Sequence, residues 1–199
     1  MLHYTDLTGL AGIAGATAAA MLLFPVMANL AKPRLAMMLS AVFVLMMIPI
    51  GGMPLAAYAR GATGDLSITT LVLLWCALLR PWCGCVMADA KQRHALLILI
   101  AIAAAAFYPM ALGAGAYDPY RLGYGDPRFV AALLLFALFA WFGKFMLISL
   151  CIAFATFAWA AGWYESGNLW DYLLDPFVST YAPVAITIRF IKALLKSRG

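Results

Sequence analysis

The sequence predicts an all-α fold: a polytopic membrane helix bundle of about seven short spans, with five or six as alternatives and no soluble domain. Three observations lead there. Only 11% of the residues are charged while 66% are hydrophobic; a soluble domain carries roughly a quarter charged residues, so too few are present to cover a water-facing surface. The apolar residues lie in continuous runs near the ~20 residues that cross a bilayer, not in the short alternating segments of a membrane barrel. The connections between runs are brief, so residues 1–199 read as a single integral membrane domain.

The first span is expected over residues 8–28. The residues before it lack the positive stretch of a signal peptide, so this run is expected to remain as a helix. Gly9, Gly12 and Gly15 with Ala11, Ala16 and Ala20 give a smooth face for close helix packing; with no strand before them these glycines do not make a dinucleotide fingerprint. After the basic turn NLAKPR, a second span over 35–58 is interrupted within MMIPIGGMPL by Pro49, Gly51, Gly52 and Pro54. A break inside a membrane is tolerated only where other groups satisfy the freed backbone, and it fits either a packing kink or the broken helix of a transport site. A polar turn, ARGATGDL at 59–66, leads to a third span over 67–88. DAKQRH follows, then a fourth span over 95–116 and the turn-rich loop YDPYRLGYGDPR at 117–128.

Residues 129–162 are apolar almost throughout. As one helix they would reach about 50 Å, beyond a hydrocarbon core of about 30 Å, and two short helices meeting at WFGKF fit better. The acidic, aromatic stretch WYESGNLWDYLLDPF comes next. Residues 177–195 are then a final span or an interfacial helix, with Arg189, Lys192 and Lys196 on one face. Charge chooses among the topologies. Seven spans with an outside N-terminus place Lys32, Arg34, Arg80, Lys91, Arg93, Lys144, Arg189, Lys192, Lys196 and Arg198 inside, ten in all, against Arg60, Arg121 and Arg128 outside, three. Six spans give seven against six, which is no bias. The positive-inside rule therefore favours seven, or five if 129–162 crosses once. The composition suggests a bacterial inner membrane, with the N-terminus outside and the C-terminus inside.

Little in the spans suits chemistry. Cys83 and Cys85 are spaced C-x-C, with Cys76 one helix face away and Cys151 remote; they read as ordinary thiols and not as a redox or zinc motif. His3 and His94 fall at opposite edges and cannot share a haem. No serine has an elbow around it, and no span interior carries an Asp or Glu, which argues against a metal-dependent transferase and a proton-coupled carrier. No catalytic residue, metal or cofactor is expected. The net charge of +5 follows from the positive-inside bias, and nucleic acid is not an expected partner.

The candidate site is the pair of loops that seven spans bring to one face: Asp118, Arg121, Asp126 and Arg128 from 117–128, with Glu165, Asn168, Trp170, Asp171 and Asp175 from 163–176. Two readings compete. In the first the loops lock each other, with Arg121 or Arg128 paired to Asp171 or Asp175, and Asn-Leu-Trp-Asp opens a short interfacial helix that Asp-Pro ends. In the second the patch grips a partner protein or a sugar or lipid headgroup. The expected function is a non-catalytic integral membrane subunit or accessory protein in a larger envelope complex. Its expected partners are membrane lipid and another integral membrane protein. The alternative is a small transporter or lipid- or glycolipid-handling protein that uses the broken second span and the same patch.

Overall fold

The computed structural model describes residues 4–22, 24–83 and 89–197. His3, Cys85, Arg198 and the side chains of Arg80 and Cys83 lie outside that description. The fold is all-α. Its helices are α1 (Tyr4–Met21), α2 (Pro25–Ala28), α3 (Lys32–Met47), α4 (Leu55–Thr63), α5 (Ile68–Cys83), α6 (Ala90–Ala111), α7 (Pro127–Phe142), α8 (Met146–Ala160), α9 (Leu169–Leu173) and α10 (Pro176–Lys196), with a 3-10 turn at Pro119–Tyr124. Two of them, α6 and α10, are long and apolar enough to cross a membrane. The apolar stretches Leu7–Met21, Ile68–Leu79, Pro127–Phe142 and Met146–Ala160 are shorter.

The break in the second apolar run is a short hairpin and not a kink. α3 stops at Met47, Pro49–Ile50 pairs antiparallel with Met53–Pro54, and α4 starts at Leu55. Proline removes the N–H that a helix would need and forces the preceding residue extended. Gly51 and Gly52 take φ of 63° and 93°, the positive values that a two-residue hairpin turn requires. Because Leu55 N–H reaches the Ile48 carbonyl at 3.4 Å, the chain leaves and rejoins at nearly one point. The two helices then follow α1 in sequence. Leu35 and Leu39 pack on Ala18 and Ala19, while Met46, Met47 and Ala56 pack on Leu10 and Ile13. α4 runs on to Thr63, so the polar turn expected at 59–66 shrinks to residues 64–67. Likewise the residues of DAKQRH after Asp89 form the first turn of α6.

α5 is the wall shared by two cores. Leu78 closes the α1–α3 cluster, and Ile68 belongs to the large cluster built by α6, α7, α8, α9 and α10. Cys76 packs against that cluster and Cys151 lies within it, so Cys151 is not remote from Cys76. Residues 129–162 form two helices, with the turn at Gly143–Phe145 and Lys144 in the left-handed region at φ 64°. Small residues let α7 and α8 close on each other: Ala137, Ala140, Ala155 and Ala158 are buried, and Ser149 Oγ donates to the Ala137 carbonyl at 2.8 Å. Gln92 on α6 grips the turn, donating to the Lys144 carbonyl and accepting from Leu147 N–H.

α1 meets α4 and α5 through a partly buried ion pair. Arg60 donates to Asp65 through Nε at 2.7 Å and Nη2 at 2.9 Å. Both groups sit where a Cβ on Gly9 would stand. Neither can recede without breaking the pair, so Gly9→Ala should cost ~1–3 kcal/mol as an overpacking defect. Gly15, which has open space around its missing Cβ, should accept alanine without loss. Unfolding of the two variants in detergent checks the contrast.

Candidate functional site

Three Asp-Pro dipeptides build the loop end of the bundle, each with Asp as a cap and Pro as the first residue of a helix or 3-10 turn. Asp118 Oδ1 accepts from Tyr120 N–H at 2.9 Å. Asp126 Oδ1 accepts from Arg128 and Phe129 N–H at 2.8 and 3.1 Å. Asp175 Oδ1 accepts from Val178 N–H at 2.8 Å. The expectation that Asp-Pro ends the short interfacial helix is therefore incomplete, because Asp175-Pro176 also starts α10.

Asp175 does more than cap. Only 4% of the residue is exposed, and its Oδ2 accepts from Ser67 N–H at 2.8 Å, Ser67 Oγ at 2.7 Å and the Thr70 hydroxyl. Ser67 in turn accepts from Thr70 N–H at the start of α5. One buried carboxylate thus ties the first turn of α10 to the first turn of α5.

The aromatic half is wedged in place. The Trp170 ring lies between Phe107 and Phe129, with centroids 4.4 and 4.8 Å away, and its Nε1 donates to the Pro119 carbonyl at 3.0 Å. Asn168 is fully buried; its Oδ1 caps α9 at Trp170 N–H and its Nδ2 donates to the Tyr120 carbonyl at 2.9 Å. Gly123 is required here, since a Cβ would collide with the Asn168 amide. Asp171 Oδ2 accepts from the Tyr120 hydroxyl at 3.0 Å and the Ser166 hydroxyl at 2.5 Å. Beneath them Tyr172 is fully buried, stacks on Tyr164 at 5.0 Å and accepts from Tyr164 N–H.

The two loops are brought together, but not by the expected ion pairs. Neither Arg121 nor Arg128 pairs with Asp171 or Asp175. Both arginines are exposed, and hydroxyls and backbone N–H groups satisfy the carboxylates without the cost of drying a guanidinium. Glu165 stands apart, mostly exposed, 3.7 Å from Arg60. Asp118, Arg121 and Asp126 converge instead on a shallow cavity of about 290 Å³, lined also by Ala116, Tyr117 and Leu122. Each of those carboxylates commits one oxygen, Oδ1, to a cap. The cavity can offer acceptors to a cation or hydroxyl and a guanidinium to an anion. Among the described residues no group of three His, Cys, Asp or Glu could hold a metal ion.

Sequence reasoning missed Ser67, Thr70, Phe107, Tyr120 and Ser166. The usable signals were the repeated Asp-Pro and the Ser67–Thr70 spacing before an apolar run; nothing marked Phe107 or Tyr120. No family model matches the chain, and no curated protein or solved structure matches it either.

Burial, and then the Asp171 carboxylate it bonds, raise the Tyr120 hydroxyl above its ordinary 10.0. Burial, and then the Asp65 carboxylate, do the same for Tyr164. A raised folded-state value means that the phenol's contribution is complete below pH 10 and is lost as pH rises through the folded value. Tyr120→Phe should therefore be ~1 kcal/mol less stable than the parent at pH 7, and that gap should shrink above pH 10. Asp175→Ala, which strands several buried donors, should cost ~3–5 kcal/mol. Asp118→Ala, a half-exposed cap, should cost about 1 kcal/mol. Denaturant titrations in detergent measure all three, and equal losses at Asp175 and Asp118 would contradict the ranking.

Proposed function

We propose that this chain is a polytopic integral membrane protein with seven traversing segments, acting as a non-catalytic accessory subunit that docks a partner on its loop end. The segments are α1, α3 with α4, α5, α6, α7, α8 and α10. The proposal draws support from how polar groups divide between two ends. Thr8, Arg60, Asp65, Ser67, Tyr120, Asp171 and Asp175 are linked to the 117–128 and 163–175 loops or their neighbours. Lys91, Arg93 and Lys144 lie at the far end of α6, beside Gln92. With basic residues inside, the loop end faces out of what we take to be a bacterial inner membrane. Several traversing helices are only ~24 Å long at 1.5 Å per residue, so the local bilayer thins or the side chains at their ends extend to reach water.

The observation that carries the docking proposal is the rigidity of this platform and what it leaves outside. Trp170, Asn168, Asp171 and Asp175 are spent holding the loops, whereas the rings of Tyr117, Tyr124 and Trp163 stay exposed among Arg121, Arg128 and Glu165. Tyr, Trp and Arg on a pre-ordered surface are the residue types that anchor protein interfaces. The cavity at Asp118, Arg121 and Asp126 favours a second reading, a small lipid or sugar headgroup held there by a lipid-handling or transport protein.

Extraction of the untagged chain from its own membranes, followed by identification of everything present at equal stoichiometry, separates the two. Tyr124→Ala with Arg128→Ala should release a protein partner while lowering the unfolding midpoint by only a few °C, the loss of the Tyr124 edge contact with Tyr120 at 5.6 Å. Trp170→Ala should lose the partner and the platform together. A chain that emerges alone with one bound headgroup, lost in Arg121→Ala, would replace docking with the second reading.

A further inference from the structure

We infer that the end of the bundle opposite the loops is a binding site for anionic phospholipid headgroups, formed by the first turn of α6, the α7–α8 turn and the last turns of α10. This rests on the membrane reading above and concerns a different surface. Carboxylates and cations divide unevenly between the two ends: the loop end carries Arg60, Arg121 and Arg128 among most of the carboxylates. Asp65, Asp118, Asp126, Glu165, Asp171 and Asp175 belong to the loop end, whereas Asp89 lies just before α6. Against it stand Lys91, Arg93, Lys144, Arg189, Lys192 and Lys196.

Geometry places these six at one level. The Gln92 amide bonds the Lys144 carbonyl, so Lys144 sits beside the turn that carries Lys91 and Arg93. At the other end of α6, Tyr108 Oη lies 3.5 Å from Ser179 Oγ near the start of α10. The two helices share one packed cluster that runs from Leu96 to Phe107 on α6 and from Val178 to Ile186 on α10. At 1.5 Å per residue the stretch from Ser179 to Lys196 is as long as that from Tyr108 back to Lys91, which puts the C-terminal turns of α10 level with Lys91 in an antiparallel pair. Arg189, Lys192 and Lys196 recur at intervals of three and four and share a helix face. Among the described residues none of the six is in an ion pair, and Lys91, Lys144, Lys192 and Lys196 are exposed.

The neighbours decide the ligand's chemistry. Trp141 and Phe142 lead into the Lys144 turn, and Phe190, Ile191, Leu194 and Leu195 alternate with the α10 cations; all six side chains are exposed. A soluble phosphate or a nucleic acid would satisfy the cations and leave those rings and chains in water. A phospholipid offers both halves: a phosphate at the depth of the ammonium and guanidinium groups, and acyl chains against the apolar side chains below. A net negative headgroup is favoured over a zwitterionic one because hardly any carboxylate is present to meet a headgroup ammonium.

The test uses the full chain in nanodiscs of phosphatidylcholine, doped with phosphatidylglycerol, and counts lipids retained after detergent release by native mass spectrometry. Phosphatidylglycerol should be retained at least ~tenfold over phosphatidylcholine, and Arg189→Gln/Lys192→Gln/Lys196→Gln should erase most of that preference. Lys144→Gln tests the second element without touching α10. Inorganic phosphate at matched ionic strength should not displace the lipid. Equal retention of the two lipids, an unchanged preference in both variants, or displacement by inorganic phosphate would overturn the inference. Failure of the parent chain to enter neutral nanodiscs at all would instead fell the membrane reading.

Discussion

The Asp175 carboxylate, buried with both oxygens occupied, is the constraint on which the loop end depends. A buried charge is tolerated only when its lone pairs are met by donors, and here the donors come from the first turns of two helices distant in sequence. Fixing those two turns fixes the 163–175 segment that runs between α8 and α10. That segment then has one place to put Trp170, the slot between Phe107 of α6 and Phe129 of α7. The order of cause runs from a carboxylate, through two helix caps, to an aromatic wedge, and the exposed surface is what remains.

Below that lock the bundle is held by shape more than by polar chemistry. Buried alanines at the α7–α8 and α1–α3 contacts let short helices approach, as the proposed membrane setting requires, where lipid gives no hydrophobic drive for association. The Pro49–Pro54 hairpin fits the same logic. Its prolines bring no N–H of their own to satisfy, and pairing of Ile50 with Met53 deals with the rest of the short strands. Across the hairpin, α3 packs on Ala18 and Ala19 of α1 and α4 on Leu10 and Ile13.

Much of this was legible in the residues and some was not. Continuous apolar runs mark helices, and the length of 129–162 against the span of one helix marks the turn at Gly143–Lys144. The meeting of the two aromatic loops follows from charge counting, and Tyr120 with Asp171 is where the structure joins them. The manner of joining was not legible. Ser67, Thr70, Ser166 and Tyr120 are common residue types with no spacing that ties them to a carboxylate as many as 108 residues away, whereas Arg and Asp invite a pairing that exposure makes unnecessary. Asp-Pro is equally ambiguous, because one dipeptide both terminates α9 and initiates α10. Pro49, Gly51, Gly52 and Pro54 announce a break but not a strand pair, since a kink and a hairpin use the same residues.

In the proposed topology a carboxylate-locked, aromatic platform is presented on one side of a membrane and a basic, lipid-facing end on the other. Single cysteines at Tyr124 and Ser197, in a chain whose native cysteines are replaced, test it most directly in intact cells with a membrane-impermeant maleimide. The account predicts labelling at Tyr124→Cys without permeabilisation and at Ser197→Cys only after it. Labelling of both positions from the same side would contradict the odd number of crossings, and labelling of Ser197→Cys alone would turn the platform inward.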